Sequence, residues 1–429
     1  MMDRYKEALR QLLLRLQQYT KTDMIYLARG GFWSTAPFIF SSVLSIALVW
    51  AFANLLPKDI YGTYKFVMSL SGSLSFLTLT GINIAVTQAA ARGYEGVLPY
   101  ALKIQLRWNV LFTIAMFGVA GYYFIHNNAL IGTAVCILAV TFPLTTSFNT
   151  YGAYLFGKKQ FRQIAGYQIF TSFFYIAAMV SILAVTDNLL FIITVYALGS
   201  LTPLLFFYYR TLQLSGEQSQ FLAEQKAQFL NYLKHLSVMN IFSTLSQYVD
   251  KIVVFHYLGA VELAVYGIAL AIPERIRGYF KTLTALVMPK VSGKEIIDLR
   301  KTFYMRLSQA FLLGLLISIS YIIATPHIFK LLLPAYPESV RYSQVIALVF
   351  IFLLPGTYIA EIFRAHAMIR ALYLSSVIAH ISRIILFIAF GIMWGVWGVI
   401  IASLTVTFVG LFWNILLWEI ESRRRIATF

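Results

Sequence analysis

Charge is scarce in this sequence, and where it gathers it lies inside stretches apolar enough to cross a bilayer. From Ser246 to Lys281 the chain reads SQYVDKIVVFHYLGAVELAVYGIALAIPERIRGYFK. The first of two apolar segments holds Asp250 and Lys251; the second holds Pro273, Glu274, Arg275, Arg277 and Lys281. An ionised side chain at membrane depth costs at least roughly 2.5–3.5 kcal/mol, so several together require a water-filled cavity or a path for a polar substrate. Glu274, Arg277, Gly278 and Lys281 recur at i, i+3, i+4 and i+7 and share one helical face, with Arg275 about 100° away from Glu274. Arginine forks match phosphate and carboxylate oxygens, so this face is a candidate cationic wall for an anion. Lys281 is equally placed to snorkel to the membrane interface.

Asp250 and Lys251 are neighbours in sequence and cannot both point along one narrow face, whereas Gln247 and Asp250 share a face. Asp250 has two readings: an ion-coupling carboxylate, or half of a structural pair with a cation of the next span or of the other half of the chain. Further along, Glu361 with Arg364 and His380 with Arg383 repeat the i, i+3 spacing, and Lys65 lies one turn beyond Tyr61. Intramembrane charge is thus mostly basic: Lys65, Lys251, Arg275, Arg277, Lys281 and Arg383 against Asp250, Glu274 and Glu361. A cavity of that sign attracts anions. No Walker loop, metal-spaced His/Cys cluster or nucleophile elbow occurs, so neither cofactor, metal nor ATP-driven chemistry is expected; coupling to a proton or sodium gradient fits better. Cys136 is the only cysteine, so no intrachain disulfide can form.

The elements that position these residues follow from composition. Of 429 residues, 59% are apolar and 12% charged, against about 25% charged in an ordinary soluble domain. Such a chain cannot cover a water-facing surface, and it lacks the alternating pattern of an outer-membrane barrel. The expected fold is an all-α polytopic membrane protein of about twelve transmembrane helices. The spans are read at 31–54, 60–80, 108–125, 129–150, 164–186, 188–209, 236–257, 261–285, 307–325, 340–363, 373–393 and 396–418. The net charge of +17 comes largely from loops on one side, including Arg92, Lys158, Lys159, Arg162, Arg210, Lys226, Arg300, Arg364 and Arg423 to Arg425. The other side holds little beyond Lys58, Lys330 and Arg341. By the positive-inside rule both termini are cytoplasmic, and the basic excess needs no nucleic-acid partner. The opening MMDRYKEALRQLLLRLQQYTKTD lacks a signal peptide's apolar core. Segment 1–28 reads instead as a basic amphipathic stretch with Leu9, Leu12, Leu13 and Leu16 on one face.

The longest polar connection, 211–235, divides a six-helix lobe at 29–210 from a second at 236–419, leaving a basic tail at 420–429. An internal repeat links the lobes. FANLLPKDIYGTYKFVMSL (Phe52 to Leu70) and FHYLGAVELAVYGIALAI (Phe255 to Ile272) both end a span and turn past an acidic residue, Asp59 or Glu262. Both then open the next helix on Tyr-Gly, at Tyr61-Gly62 and Tyr266-Gly267. An even number of spans before each copy makes the repeat parallel.

The opening spans, with Gly31, Trp33, Leu55-Leu56-Pro57, Tyr61-Gly62-Thr63-Tyr64, Gly81 and Ala89 to Gly93, resemble Wzx-type polysaccharide flippases. SQYVDKIVVFHYLGAVELAVYGIALAI is similar to that family's seventh and eighth spans. The family belongs to the superfamily that also holds MATE-type multidrug exporters and lipid II flippases. The resemblance implies a V-shaped, MATE-like bundle with a central cavity opening to alternate sides of the bacterial inner membrane. It implies an undecaprenyl-diphosphate-linked oligosaccharide as cargo, moved to the outer leaflet for surface polysaccharide biosynthesis. Membrane lipids, a polysaccharide polymerase and chain-length proteins are the implied partners. Lipid II flippases usually carry fourteen spans, which separates them from this chain. Asn83, Gln88, Asn109, Asn149, Tyr151, Tyr154 and Gln168 would offer the first lobe's uncharged polar surface to sugar hydroxyls. Two other readings are an ion-coupled MATE-type exporter and a membrane-embedded glycan ligase or polymerase. A cavity for cationic drugs would call for acids, and a ligase would call for an outer loop longer than 326–339.

Overall fold

The computed structural model describes residues 24–94, 96–215, 221–285 and 291–427, and among them every regular element is helical. Most of the expected amphipathic segment 1–28 lies outside these residues. In chain order the helices are α1 (Met24–Leu55), α2 (Lys58–Leu74), α3 (Ile82–Ala91), α4 (Val97–Ile125), α5 (Ala129–Phe148), α6 (Thr150–Gly157), α7 (Phe161–Val185) and α8 (Leu189–Ser215). Then come α9 (Ala223–Ser246), α10 (Val249–Leu258), α11 (Ala260–Ala285), α12 (Ile296–Leu332), α13 (Glu338–Ala347), α14 (Val349–Ala365) and α15 (Ile369–Ala427).

Each expected span falls on a helix or a broken pair. The second runs through α2, a short 3-10 turn and α3, bent by 54°. The fourth is α5 with α6, the seventh α9 with α10, and the tenth α13 with α14. Among the described residues eight helices are long and apolar enough to cross a membrane, nine with the bent pair. Missing from that set are α9–α10 and α11, which carry Asp250, Lys251, Glu274, Arg275, Arg277 and Lys281. The last two spans share α15, which breaks at Gly395 (φ 60°, ψ −138°). A Cβ on Gly398 would lie 1.8 Å from the Phe390 carbonyl oxygen. Eight residues of straight helix would hold such positions roughly 12 Å apart, so the chain folds back here into two antiparallel arms.

The breaks are locally satisfied. Pro143 inside α5 has no N–H for the Ala139 carbonyl, and Thr113 Oγ1 of α4 donates to that carbonyl at 3.1 Å instead. Asn109 Nδ2 donates to the Pro143 carbonyl at 2.9 Å. Asn109 is therefore committed to packing α4 on α5 and is buried, not offered to a cavity. The turns closing the fourth and tenth spans match each other. Lys159 (φ 60°) and Ala367 (φ 48°) both take the left-handed conformation. The following amides, of Gln160 and Met368, return to the Leu155 and Phe363 carbonyls at 3.0 and 2.8 Å. These turns agree with the parallel repeat.

The lobes are welded at the end of the bundle that carries few basic residues. One apolar core there joins Phe52, Tyr61, Phe66 and Leu138 of the first lobe to Val254, Leu263, Tyr266 and Phe387 of the second. At the basic end the cores are separate, one built on the first lobe and another on α12, α14 and the end of α15. The Tyr-Gly copies form the weld itself. A Cβ on Gly62 would sit 1.8 Å from the Ala260 carbonyl oxygen, so only glycine lets α2 meet the start of α11 this closely. Phe66 stacks on Phe255 at 3.7 Å, Asn54 Nδ2 donates to the Leu332 carbonyl at 2.9 Å, and Lys58 pairs with Glu338 at 3.2 Å. On the opposite seam Phe38 of α1 meets Tyr279 of α11 edge-on at 4.9 Å.

Two expected boundaries move. The connection read at 211–235 is largely helical: α8 runs on to Ser215, and α9 begins at Ala223. Phe221, Phe229 and Leu233 are apolar enough to join the first lobe's core rather than solvate a linker. The basic tail read at 420–429 continues α15 to Ala427, because Trp418, Glu421 and Ser422 are buried against the second lobe.

Overpacking a helix contact costs about 1–3 kcal/mol, whereas Gly→Ala in an unobstructed helix gains up to about 1 kcal/mol. Gly62→Ala should therefore lower the thermal midpoint in detergent, while Gly152→Ala, with no atom within 4 Å of its Cβ, should hold or raise it. Equal midpoints would show that the α2–α11 contact does not hold the lobes together.

Candidate functional site

The intramembrane charges converge where α10 and α11 face α2. Lys251 and Glu274 form an ion pair at 3.4 Å. Asp250, its sequence neighbour, turns the other way and is buried at 2% exposure, where Oδ2 accepts the Tyr266 hydroxyl at 3.0 Å. The two acids therefore do different work. Asp250 takes a tyrosine from α11 rather than a cation, and its Oδ1 has no hydrogen-bond partner among the described residues. Glu274 is surrounded by protein yet its side chain is 51% exposed, as befits a group on the wall of an internal cavity.

Around Glu274 lie Lys251, Lys65 and Arg277, all within electrostatic reach. Lys65 comes from the first lobe. Its stem crosses the weld at 3.8 Å from where a Gly267 Cβ would stand, and its ammonium lies 5.4 Å from the centre of the Tyr61 ring. Arg383, on the first arm of α15, lies in the field of Arg277 and Lys251, with its guanidinium 5.1 Å from the Phe387 ring centre. One turn earlier, His380 Nδ1 is 2.8 Å from Ser246 Oγ, which ties α15 to the end of α9. The Nε atoms of Arg277 and Arg383 are buried without hydrogen-bond partners among the described residues. Two cations repelling each other beside unspent donors is a poor resting arrangement for protein alone, and a good one for receiving an anion.

Arg275 leaves this group. It lines an apolar recess with Ser45, Ile46, Val49 and Trp50 of α1 and Leu332 and Leu333 beyond it, while remaining in the field of Lys65. Glu361 also stands apart, buried at 5% and bonded to Arg364 within α14 beside the second lobe's basic-end core. Its spacing was legible as an i, i+3 pair, and it is used as one. Lys281 falls on the last turns of α11, where its side chain lies outside the described residues.

The first lobe brings part of its expected polar set together. Asn149, Tyr151 and Gln168 line one recess with Ser41, Thr171 and Ser172, from α1, the α5–α6 break and α7. Ser41 and Ser172 share a hydrogen bond of 2.8 Å. Among the described residues no charged side chain lines it. Sequence reading missed Ser41 and Ser172, because small hydroxyls in apolar spans usually bond their own helix. It also missed the tyrosines beside the charges: Tyr64 meets Tyr196 edge-on at 6.2 Å, Tyr175 meets Tyr196 edge-on at 5.8 Å, and Lys251 lies over Tyr248 at 5.7 Å.

No protein-family model and no curated protein matches the sequence. Solved structures do match the fold. An inward-facing MATE-family multidrug resistance transporter of the MOP superfamily superposes with a TM-score of 0.66 at 12% identity, over 92% of this chain and 98% of that one. The lipid II flippase MurJ, in an inward closed conformation, gives 0.67 at 16% identity, over 90% and 87%. A MOP-superfamily transporter from Pyrococcus furiosus, reported with a binding pocket of reverse polarity, gives 0.55 at 14%, over 89% and 94%. At such identities the likeness is one of architecture: the chain is an all-α polytopic membrane protein with the MATE-like fold shared by these structures.

Proposed function

We propose that this chain is a flippase for a lipid-linked oligosaccharide, carrying an undecaprenyl-diphosphate-linked repeat unit from the inner to the outer leaflet of the bacterial cytoplasmic membrane. The observation that carries this reading is the sign of the central group. Lys65, Lys251, Arg277 and Arg383 surround Glu274 and Asp250, and both arginines keep buried Nε donors unspent. A diphosphate is the ligand whose charge and acceptor oxygens answer that excess. The uncharged recess of Asn149, Tyr151, Gln168, Ser41 and Ser172 would take sugar hydroxyls, while the lipid tail stays in the bilayer.

Orientation follows the positive-inside rule, with the basic end and both termini in the cytoplasm. Transport would proceed by alternating access, the weld of α2 on α11 parting as the basic end closes. The MATE-family neighbours support a transporter rather than an enzyme, and so does MurJ, a lipid II flippase. A drug exporter for lipophilic cations is disfavoured by the basic wall. A polysaccharide polymerase and chain-length proteins would act on the delivered units.

Loss of a charge-assisted hydrogen bond costs about 1.5–3 kcal/mol, or roughly ten- to a hundredfold in rate. Arg277→Ala and Arg383→Ala should each insert normally but slow glycan export by that factor, with the lipid-linked unit accumulating on the cytoplasmic leaflet. Wild-type export from both would remove the cationic-cavity reading.

Asp250 is the acid we assign to coupling transport to an ion gradient, since its Oδ1 has no hydrogen-bond partner among the described residues. Asp250→Asn keeps an oxygen for Tyr266 while removing the charge, so it should abolish the stimulation of transport by an imposed proton or sodium gradient. Unchanged gradient dependence in reconstituted vesicles would make Asp250 purely structural.

A further inference from the structure

A run of tyrosines joins the charged group to the first lobe's polar recess. Gln168, Thr171 and Ser172 of α7 line that recess, and Tyr175 continues the same helical face one turn beyond Thr171 and Ser172. It stands about 10 Å along the helix from Gln168. Tyr175 meets Tyr196 of α8 edge-on at 5.8 Å. Tyr196 lies in the field of Tyr248, at the break between α9 and α10, and the Lys251 ammonium is 5.7 Å from the Tyr248 ring centre. Three rings therefore lead from the recess to the cation that pairs with Glu274.

Packing accounts for the tyrosine behind this wall but not for the wall. Tyr64 is 5% exposed, rests on Phe52 at 4.9 Å and engages the Tyr175 hydroxyl with its own. Tyr175 and Tyr196 stand deep among protein atoms yet are only half-buried, the combination that marks Glu274 as a cavity residue. Tyr248 is half-buried too, and α2 fixes it from one side: a Cβ on Gly72 would lie 2.3 Å from its ring. Among the described residues the Tyr196 and Tyr248 hydroxyls make no hydrogen bond, and neither oxygen is sealed from the cavity. They are open to whatever fills it.

The chemistry of the wall selects its occupant. Phosphate oxygens call for cations, and a prenyl chain has no use for hydroxyls. A pyranose has an apolar C–H face and a rim of hydroxyls, and tyrosine answers both with an apolar body and a polar tip. We propose that Tyr175, Tyr196 and Tyr248 form the subsite for the sugar joined directly to the diphosphate, packing on its C–H face and bonding its hydroxyls. This rests on the flippase reading and adds an order to it. The diphosphate sits at Lys251, Arg277 and Arg383, the first sugar lies on the tyrosines, and later sugars enter the recess beyond Ser172. Tyr175 and Tyr196 belong to the first lobe and Tyr248 to the second, so the first sugar touches both.

The test compares two probes for binding to the full-length protein in detergent: undecaprenyl diphosphate and undecaprenyl-diphosphate-linked N-acetylglucosamine. Wild type should hold the glycosylated lipid about tenfold more tightly, the scale of one aromatic contact with one hydrogen bond. Tyr196→Leu and Tyr248→Leu should each remove most of that preference. Tyr196→Phe and Tyr248→Phe, which keep the ring and its packing, should each reduce it roughly two- to fivefold. The ratio of the two affinities is read within each variant, so any loss of folded protein cancels. Arg277→Ala should weaken both lipids alike. A wild type without the preference overturns the subsite, and so does a preference unchanged in all four tyrosine variants. Leucine variants that weaken both lipids equally, at an unchanged ratio, would assign the wall to the prenyl chain or the diphosphate and overturn it as well. Failure of the tyrosines alone leaves the flippase reading standing. If Arg277→Ala leaves both affinities intact, that reading fails and the proposed order fails with it.

Discussion

Glycine 62 stands so close to the Ala260 carbonyl that any side chain there would overlap it. Water drives helices together in soluble proteins; within a bilayer, backbone proximity and packing must do so, which favours small residues at crossings. This single approach sets the distance between α2 and α11, and much else depends on it. It lets Phe66 stack on Phe255 and brings the Lys65 stem against Gly267. It also closes the end of the bundle where Lys58 pairs with Glu338. With the lobes joined there and their cores separate at the basic end, the interior between them remains wet enough for Glu274 to keep half of its side chain accessible.

Charge inside that space is tolerable because it is distributed unequally. Lys251 and Glu274 satisfy each other, and Asp250 is satisfied in part by Tyr266. Arg277 and Arg383 are left with donors to spare. Removing a buried charge pair outright is often harmless to stability, whereas leaving one member unpaired is costly. A protein selected for stability alone would have paired these arginines or replaced them with apolar residues. Among the described residues their Nε donors have no partner, and that is the physical ground for the proposed anion.

Much of this was legible in the amino-acid sequence, and the limits are instructive. Spans were readable because apolar length is a strong signal at the scale of a bilayer, and both tyrosines of the Tyr-Gly repeat, Tyr61 and Tyr266, are buried in the core that joins the lobes. The divergence of Asp250 from Lys251 followed from helix geometry. Their partners did not, since facing-helix contacts such as Lys251 with Glu274 depend on how α10 lies against α11. The breaks at Gln247–Tyr248 and Leu348 carry no proline or glycine, so local propensity offers no warning of them. Asn109 shows the reverse error: a polar residue in an apolar span looks available for sugar, yet it answers a carbonyl inside α5, the helix that Pro143 interrupts. The linker and tail were misread because Phe221, Phe229 and Trp418 reveal their packing only through tertiary structure.

The asymmetry of the repeat then acquires a mechanical meaning. Tyr61 and Tyr266 occupy matching places and both are buried, but only Tyr266 has an acid, Asp250, to hold. Among the described residues the first lobe contributes Lys65 to the charged group, delivered across the weld into the field of Glu274. Lys251, Arg277 and Glu274 all belong to the second lobe and would travel together. Any motion that parts α2 from α11 must therefore withdraw Lys65 from Glu274 while leaving the other cations in place. If an anion binds there as proposed, the field it feels would differ between the joined and parted states, and by linkage it would bias the equilibrium between them. One lysine placed on the opposite lobe would be enough to make the position of the lobes part of the proposed binding site.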